Sequence, residues 1–446
     1  MLRRPLAIAL TLLLPPALHA ADGDLDSAFA GDGKQVIAAP SAAENTATAR
    51  AVAGLSDGSI LVAGSMGQTS NSSNHFALVK LASDGSPDLA FGSSGIVEVA
   101  TPESYGIVLA IFVQPDGAIV LAGRDRYSDP SIAFARILAN GLPDLSFGPG
   151  GLKIIPDVPV PGGNLGGHAI ARSPDGGYFV AGSCELCAPN ALFVLRLDAD
   201  CEIDTAFGDD GWAIFTADPG AIHNSIRVAV DEAGRPVVIG ATPVATHDLF
   251  LVRLTTAGNF DPTFGGGDGI AFVDGAPFSS PDALQLDPVS GRILIAGQSF
   301  ILARTSTGAV DTGFGTSGVV DLDLEEGTRL NSLQLQSDRK VVAAGSIDHT
   351  GAELGGFFLA RLETNGTLDN SFDDNGVVRY EFNAAPDAAD AAYAAAFVGG
   401  KLVAAGAATS PADSAQSSAF AILRTQSALI FTDGFERGSV SGWLGN

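Results

Sequence analysis

The sequence predicts an all-β fold: a seven-bladed β-propeller closed by the N-terminal strand joining the last blade. Three observations lead there. A turn phrase, Asp-x-x-Phe followed by glycine, occurs seven times along the chain. Two apolar strand phrases recur between its copies. The two chain ends hold complementary fragments of one repeat, and a closed ring accounts for this and removes open sheet edges.

A chain of 446 residues would ordinarily divide into about two or three domains. A closed repeat array escapes that expectation, because each unit is too small to bury a core alone. The domain plan is a signal peptide at 1–20, a seven-repeat propeller at 21–425 and a C-terminal tail motif at 426–446. In the leader, Arg3 and Arg4 supply the positive start and Ala7 to Leu14 the short apolar run. Ala17-Leu18-His19-Ala20 is the cleavage region. The apolar run is too short to cross a bilayer, so no transmembrane span is expected in the mature chain. The expected location is outside the cytoplasm: extracellular, at the cell surface or periplasmic.

The turn phrase comes first in the mature chain. Its aspartates are Asp26, Asp88, Asp144, Asp204, Asp261, Asp311 and Asp369. Its phenylalanines are Phe29, Phe91, Phe147, Phe207, Phe264, Phe314 and Phe372. Asp can fold its carboxylate back onto the backbone, Phe anchors the turn, and the glycine that follows permits positive φ. Phe-to-Phe spacing averages about 57 residues, which suits one multi-stranded blade.

Next comes a turn and a continuously apolar strand, as in Asp57-Gly58-Ser59-Ile60-Leu61-Val62-Ala63-Gly64. Asp-Gly between apolar runs signals a hairpin, and an apolar run without alternation signals a strand buried on both faces. The third phrase is a strand ending in a cation: Lys80, Arg136, Arg196, Arg253, Arg304, Arg361 or Arg424. The turn Asp follows seven or eight residues later, so cation and carboxylate are expected to brace each repeat. Four short strands per unit result. The mature chain begins with a lone fourth strand near Lys34 to Ala38 and ends its last repeat on a third strand, Phe420 to Arg424.

These three phrases resemble the delta-60 repeat family of bacterial exported proteins, over about residues 24–425. The resemblance implies a propeller-like repeat array and no activity. Arg339 replaces a turn glycine and Asp373 the glycine after Phe372, as local variations. After Arg424, Ile430 through Trp443 is similar to a short C-terminal motif of exported gammaproteobacterial proteins.

Composition narrows the function. The formal net charge is −26, and loss of Arg3 and Arg4 makes it more negative, so nucleic acid is excluded as a partner. Cys184 and Cys187 are candidates for a local disulfide, while Cys201 leaves the pairing open. No cofactor is indicated. The strings Asp198-Ala199-Asp200-Cys201-Glu202 and Asp22-Gly23-Asp24-Leu25-Asp26 are the calcium candidates, each short of a full ligand set. His75, His168, His223, His247 and His349 are scattered on or beside variable loops, without metal-ligand spacing. No catalytic constellation stands out. Loops joining strands two to three and four to one share one face and vary, whereas the turns opposite repeat. Variable loops on a rigid scaffold are where function sits. The expectation is a monomeric, non-catalytic exported binding or scaffold protein whose partner is an unknown protein or glycan at the envelope. The alternative is an extracellular polymer-degrading hydrolase or lyase with its site at the channel mouth.

Overall fold

A computed structural model describes residues 22–40, 46–68, 73–125, 131–155, 165–184, 191–216, 224–241, 248–324, 327–347, 356–373, 375–382, 390–409 and 418–426. Residues 1–20, read from the sequence as a signal peptide, together with Cys187, His223, His247, His349 and all but the first residue of the tail, lie outside them. The fold is a seven-bladed β-propeller. Each blade is a four-stranded antiparallel sheet, and in blades 1 to 6 the strands follow chain order from the innermost outward. Blades 1 to 6 span 46–99, 106–155, 165–215, 224–273, 283–321 and 328–380. Blade 7 takes three strands from 391–424 and its outermost from Lys34–Ile37. That strand pairs with the end of the chain, Lys34 opposite Leu423 and Ile37 opposite Phe420.

The repeated phrases explain the blade. The second strand is apolar throughout because neighbouring blades cover both its faces; in blade 1, every residue from Ile60 to Gly67 is buried. The turn phrase makes the joint between strands three and four. In all seven copies the Asp carboxylate accepts the backbone N–H two residues on, at 2.9–3.2 Å. The Phe amide bonds back to the Asp carbonyl, and in the second copy the Gly95 amide bonds to Phe91 O with Gly95 at φ 92°. The amide just after the Phe then crosses to the next blade. Ala30 reaches Asp84, Gly92 reaches Asn140, Gly208 reaches Ala257, Gly265 reaches Thr307, Gly315 reaches Asn365 and Asp373 reaches Asp22. The phrase is thus the rivet between blades as well as a turn within one.

Most of the cations sit over these anchors. Arg253 lies 4.7 Å from the Phe264 ring centre, donates Nε to Asp261 at 2.8 Å and Nη2 to Thr263 at 2.9 Å, and gives Nη1 to Ser306 O in the next blade. Arg361 repeats this with Phe372, Asp369 at 2.6 Å, Ser371 and, across the ring closure, Asp22 at 2.6 Å. Arg424 pairs with Asp26 at 2.7 Å, although the two stand at opposite ends of the chain. Arg136 pairs with Asp144 at 2.7 Å, and Lys80 with Asp88 at 3.0 Å. One planar guanidinium serves the carboxylate of its own blade through one edge and a carbonyl of the next through another, as Arg253 does with Asp261 and Ser306 O.

Two repeats depart from the expected brace. Arg304 does not touch Asp311. It is seven residues from its Asp, whereas Lys80, Arg136, Arg196, Arg253 and Arg361 are eight from theirs, and Ala303 takes the ladder position that Arg253 holds in blade 4. A slip of one residue turns a strand side chain to the other face. Arg292, entering from the hairpin between strands one and two, pairs with Asp311 at 2.7 Å and lies over Phe314 instead. In blade 3, Arg196 rests on Phe179 rather than Phe207 and turns to Asp175, leaving Asp204 at 3.7 Å.

The position of Arg292 divides the molecule. Directly after the hairpin turn stand Ser59, Ala118 and Gly177 in blades 1 to 3, but Arg235, Arg292, Lys340 and Lys401 in blades 4 to 7. Each of these four cations reaches the turn Asp of its own blade, at 2.9, 2.7, 2.7 and 2.6 Å. Burial alone would raise the Asp261 carboxyl, but the hydrogen bonds from Thr263 and the Arg253 charge outweigh it and hold it at about 2. At Asp369, burial is again outweighed, here by Lys340, Ser371 and Arg361.

Candidate functional site

The seven innermost strands surround a central channel, and their shape decides what faces it. In blade 1, Ala49 pairs with Gly64 and Ala51 with Ala63, so Arg50 is an extra residue without a partner. This is a β-bulge, which re-aims a side chain. The same bulge falls on Leu109, His168, Asn331 and Tyr393 in blades 2, 3, 6 and 7. Blade 4 skips Ser225 and Ile226, and in blade 5 Asp282 holds the equivalent level just before the strand begins. Arg50 is exposed while Ala49 and Ala51 beside it are buried, as a side chain turned into an open channel must be.

The glycine that ends the second-strand phrase belongs to this bulge. A Cβ on Gly64, Gly123, Gly345 or Gly406 would stand 2.0, 2.1, 2.0 or 1.8 Å from a carbonyl oxygen of the innermost strand, which the bulge pushes toward it. Sequence reasoning took this glycine as the end of a strand. An isolated glycine closing an apolar strand is the signal that could have revealed the bulge.

The residues at this level differ from blade to blade, and so do their partners. The Arg50 guanidinium lies 5.3 Å from the Tyr393 ring centre, linking blades 1 and 7. Although its side chain is solvent-accessible, the protein that surrounds it inside the channel desolvates the guanidinium and lowers its pKa from the ordinary arginine value, with the phenols of Tyr393 and Tyr105 opposing the shift and the like charge of Arg124 adding to it. The Nε of Arg124 is buried without a hydrogen-bond partner. Across the ring, Arg227 stands where most other blades have Ala, and donates to Asp282 O at 2.7 Å. Arg329 approaches the Asp282 carboxylate to 3.6 Å, while the other carboxylate oxygen of Asp282 is buried and unpartnered. Burial raises the Asp282 carboxyl above the usual carboxylate value despite both arginines.

The remaining sequence candidates fall elsewhere. Asp198 caps its own turn through the Asp200 and Glu202 amides, Asp200 pairs with Arg136, and Glu202 pairs with Lys153. Asp22 and Asp26 of the other acidic string are held by Arg361 and Arg424. Among the described residues, no group of three or more His, Cys, Asp and Glu is placed to hold a metal ion. Cys201 is a buried free thiol, pushed well above the ordinary value by burial. Cys184 ends a strand of blade 3. The Nδ1 of His75 is buried without a partner.

A cavity of ≈ 310 Å³ also opens on the turn face, lined by Asp231, Arg235, Arg253, Gln285 and Asp287 among others. Most of its charges are already spent. Arg235 holds Asp231 and Asp261, and Asp287 takes Arg339 and Ser290. The channel residues with unsatisfied polar atoms are the stronger candidates for a ligand.

A repeat-built seven-bladed β-propeller with a variable ring of residues around its channel is therefore the class of protein defined here. Residues 55–91, 114–147 and 336–372 match the family described as domain of unknown function (DUF5122) beta-propeller. These segments lie in blades 1, 2 and 6 and end on Phe91, Phe147 and Phe372 of the turn phrase. A search of curated proteins finds no match. Among solved structures, the chain is similar to a protein of unknown function from Dyadobacter fermentans, at 12% identity over 88% of this chain and 100% of that one, with a TM-score of 0.44. It is also similar to a calcium-binding protein, regucalcin, from Agrobacterium tumefaciens, at 13% identity over 71% and 90%, with a TM-score of 0.36. Among the described residues, no helix is long and apolar enough to cross a membrane.

Proposed function

We propose that the chain is an exported, non-catalytic propeller of the delta-60 repeat kind that binds a partner at the cell envelope through the loop-face end of its channel. The observation that carries this reading is the bulge ring. One backbone level repeats around the channel, as a one-residue bulge in five blades, yet the residues at it include Arg50, Leu109, His168, Asn331 and Tyr393, with Asp282 at the same level in blade 5 and no type used twice among them. A scaffold that keeps its geometry and varies its side chains is a binding surface. Export is supported by the leader at 1–20, and the partner is a protein or glycan of the envelope. The mature chain acts as a monomer, a reading supported by the ring being closed within one chain through the pairing of Lys34–Ile37 with Phe420–Leu423.

Capture from envelope and secreted fractions tests this, using the chain from Ala21 onward beside its Arg50→Gln and Tyr393→Ala variants. A partner retained by the wild type and lost by both folded variants is expected. Capture that ignores both substitutions contradicts the reading.

An enzyme is the second reading, favoured by the Arg50–Tyr393 contact. A guanidinium that neutralises a substrate carboxylate beside a phenol that accepts a proton suits β-elimination from an acidic polymer. Hydrolysis by a carboxylate pair is less well served, because Asp282 is the one acid of the bulge ring. Appearance of unsaturated product from polyuronate, abolished in Tyr393→Phe, would favour the lyase.

A further inference from the structure

The charge of the channel is opposite to that of the molecule. The chain has 50 acidic and 24 basic residues, yet its seven innermost strands contain no Asp or Glu. They contain Arg50, Arg172, Arg227 and Arg329. Two of these are spent on carbonyls: Arg172 donates to Val113 O at 2.7 Å, and Arg227 to Asp282 O. Arg329 is shared with Asp282. Arg50 has no carboxylate partner among the described residues, and the charge near it is a second cation, Arg124, whose Nε is buried and unpartnered. Arg50 rests instead on the ring of Tyr393. On the turn face Arg136, Arg253, Arg361 and Arg424 are each met by an aspartate; here Arg50 feels a second arginine and, among the described residues, no carboxylate.

Like charges brought together in a partly enclosed space repel, and the fold tolerates this without an internal counter-charge. An anion entering the channel would supply one. The low-dielectric walls strengthen the attraction, and the planar guanidinium fork matches an oxyanion in geometry as well as charge. We infer that the loop-face half of the channel is an oxyanion site, which takes the carboxylate or phosphate group of a small molecule or chain end through Arg50 and Arg124, against the ring of Tyr393. This rests on the reading of the channel as the binding site, and names the chemistry it would bind.

Calorimetric titration of the mature chain with succinate and with inorganic phosphate, at low and high salt, tests the inference. The expected result is saturable binding of one or both probes, with the preferred probe telling carboxylate from phosphate. Binding weakens as salt rises, because exposed charges are screened. It weakens about ten-fold or more in Arg50→Gln and in Arg124→Gln, the loss expected for a charged hydrogen bond, and only a few-fold in Arg50→Lys. The salt dependence of the wild type needs no variant to fold. No saturable binding of either probe at millimolar concentration overturns the site, as does equal affinity in the folded variants. Partner capture that persists in Arg50→Gln without oxyanion binding overturns this inference and returns the capture to other channel residues. Oxyanion binding without any captured partner supports the inference and removes the envelope partner.

Discussion

Arg253 and Arg50 are each stacked on an aromatic ring, 4.7 Å from Phe264 and 5.3 Å from Tyr393, and there the likeness ends. Arg253 is buried on the turn face with every arm of its guanidinium engaged: Asp261, Thr263 and the carbonyl of Ser306. Arg50 is open to the channel, with a second arginine acting on it and no carboxylate. The shifts of ionisation run in opposite senses. On the turn face, partners overcome burial and favour the charged carboxylates, as at Asp261 and Asp369. In the channel, desolvation wins: burial disfavours the charged form of Asp282, and the enclosing walls disfavour that of Arg50 even though it is reached by solvent. One set of charges is arranged to hold the ring together. The other is held by the ring at some cost, which is how binding sites are commonly built.

The comparison is broken most sharply at Asp26, which accepts from Arg424 and Lys401 across the ring closure and is 1% exposed. Asp26→Ala leaves two cations without their acid, and a loss of about 3–5 kcal/mol is expected in urea denaturation. A loss below 1 kcal/mol would deny the brace its structural role. Gly345→Ala comes next. Its Cβ would meet the Arg329 carbonyl at 2.0 Å, so the bulge must shift, at a cost of about 1–3 kcal/mol. An unchanged melting temperature would show that the bulge does not need the glycine.

Acid separates the two regions by sign. The Asp261 carboxyl is depressed to about 2 from an unfolded value near 3.9, so its stabilisation is present above about pH 4 and is lost as pH falls through 2. The Asp282 carboxyl is raised, so its contribution is present below the unfolded value and is lost as pH rises through the folded one. Asp282→Asn is therefore expected to raise the melting temperature at neutral pH, with the gain fading below about pH 4. Asp261→Asn should lower it at neutral pH. Shifts of the same sign in both variants would contradict the division.

What was legible in the sequence follows the same line. The braces could be read because they repeat: Asp, Phe, Gly and a cation recur at near-constant spacing, and a closed ring was the arrangement that joined the two chain ends. Even the departure in blade 5 is written there, since Arg304 is seven residues from Asp311 and the cations of the other repeats that continue are eight from theirs. The partners across blades were not legible. Arg361 and Asp22 are 339 residues apart and meet only through the closure. The bulge ring was harder still. Arg50, Leu109, Asn331 and Tyr393 share no chemistry that a repeat search could register, and strand alternation gives no warning of one extra residue. Its single trace is the glycine that closes the second-strand phrase, although the strand itself runs on beyond it, from Ile60 to Gln68 in blade 1.

The account claims that turn-face charges hold the fold and channel charges do not. Urea denaturation of Arg253→Ala and Arg50→Gln side by side tests this most directly. A loss of about 3–5 kcal/mol is predicted for Arg253→Ala, which strands the buried Asp261. A change within about 0.5 kcal/mol is predicted for Arg50→Gln, which removes a charge that has no counter-charge. Equal destabilisation by the two substitutions would contradict the account.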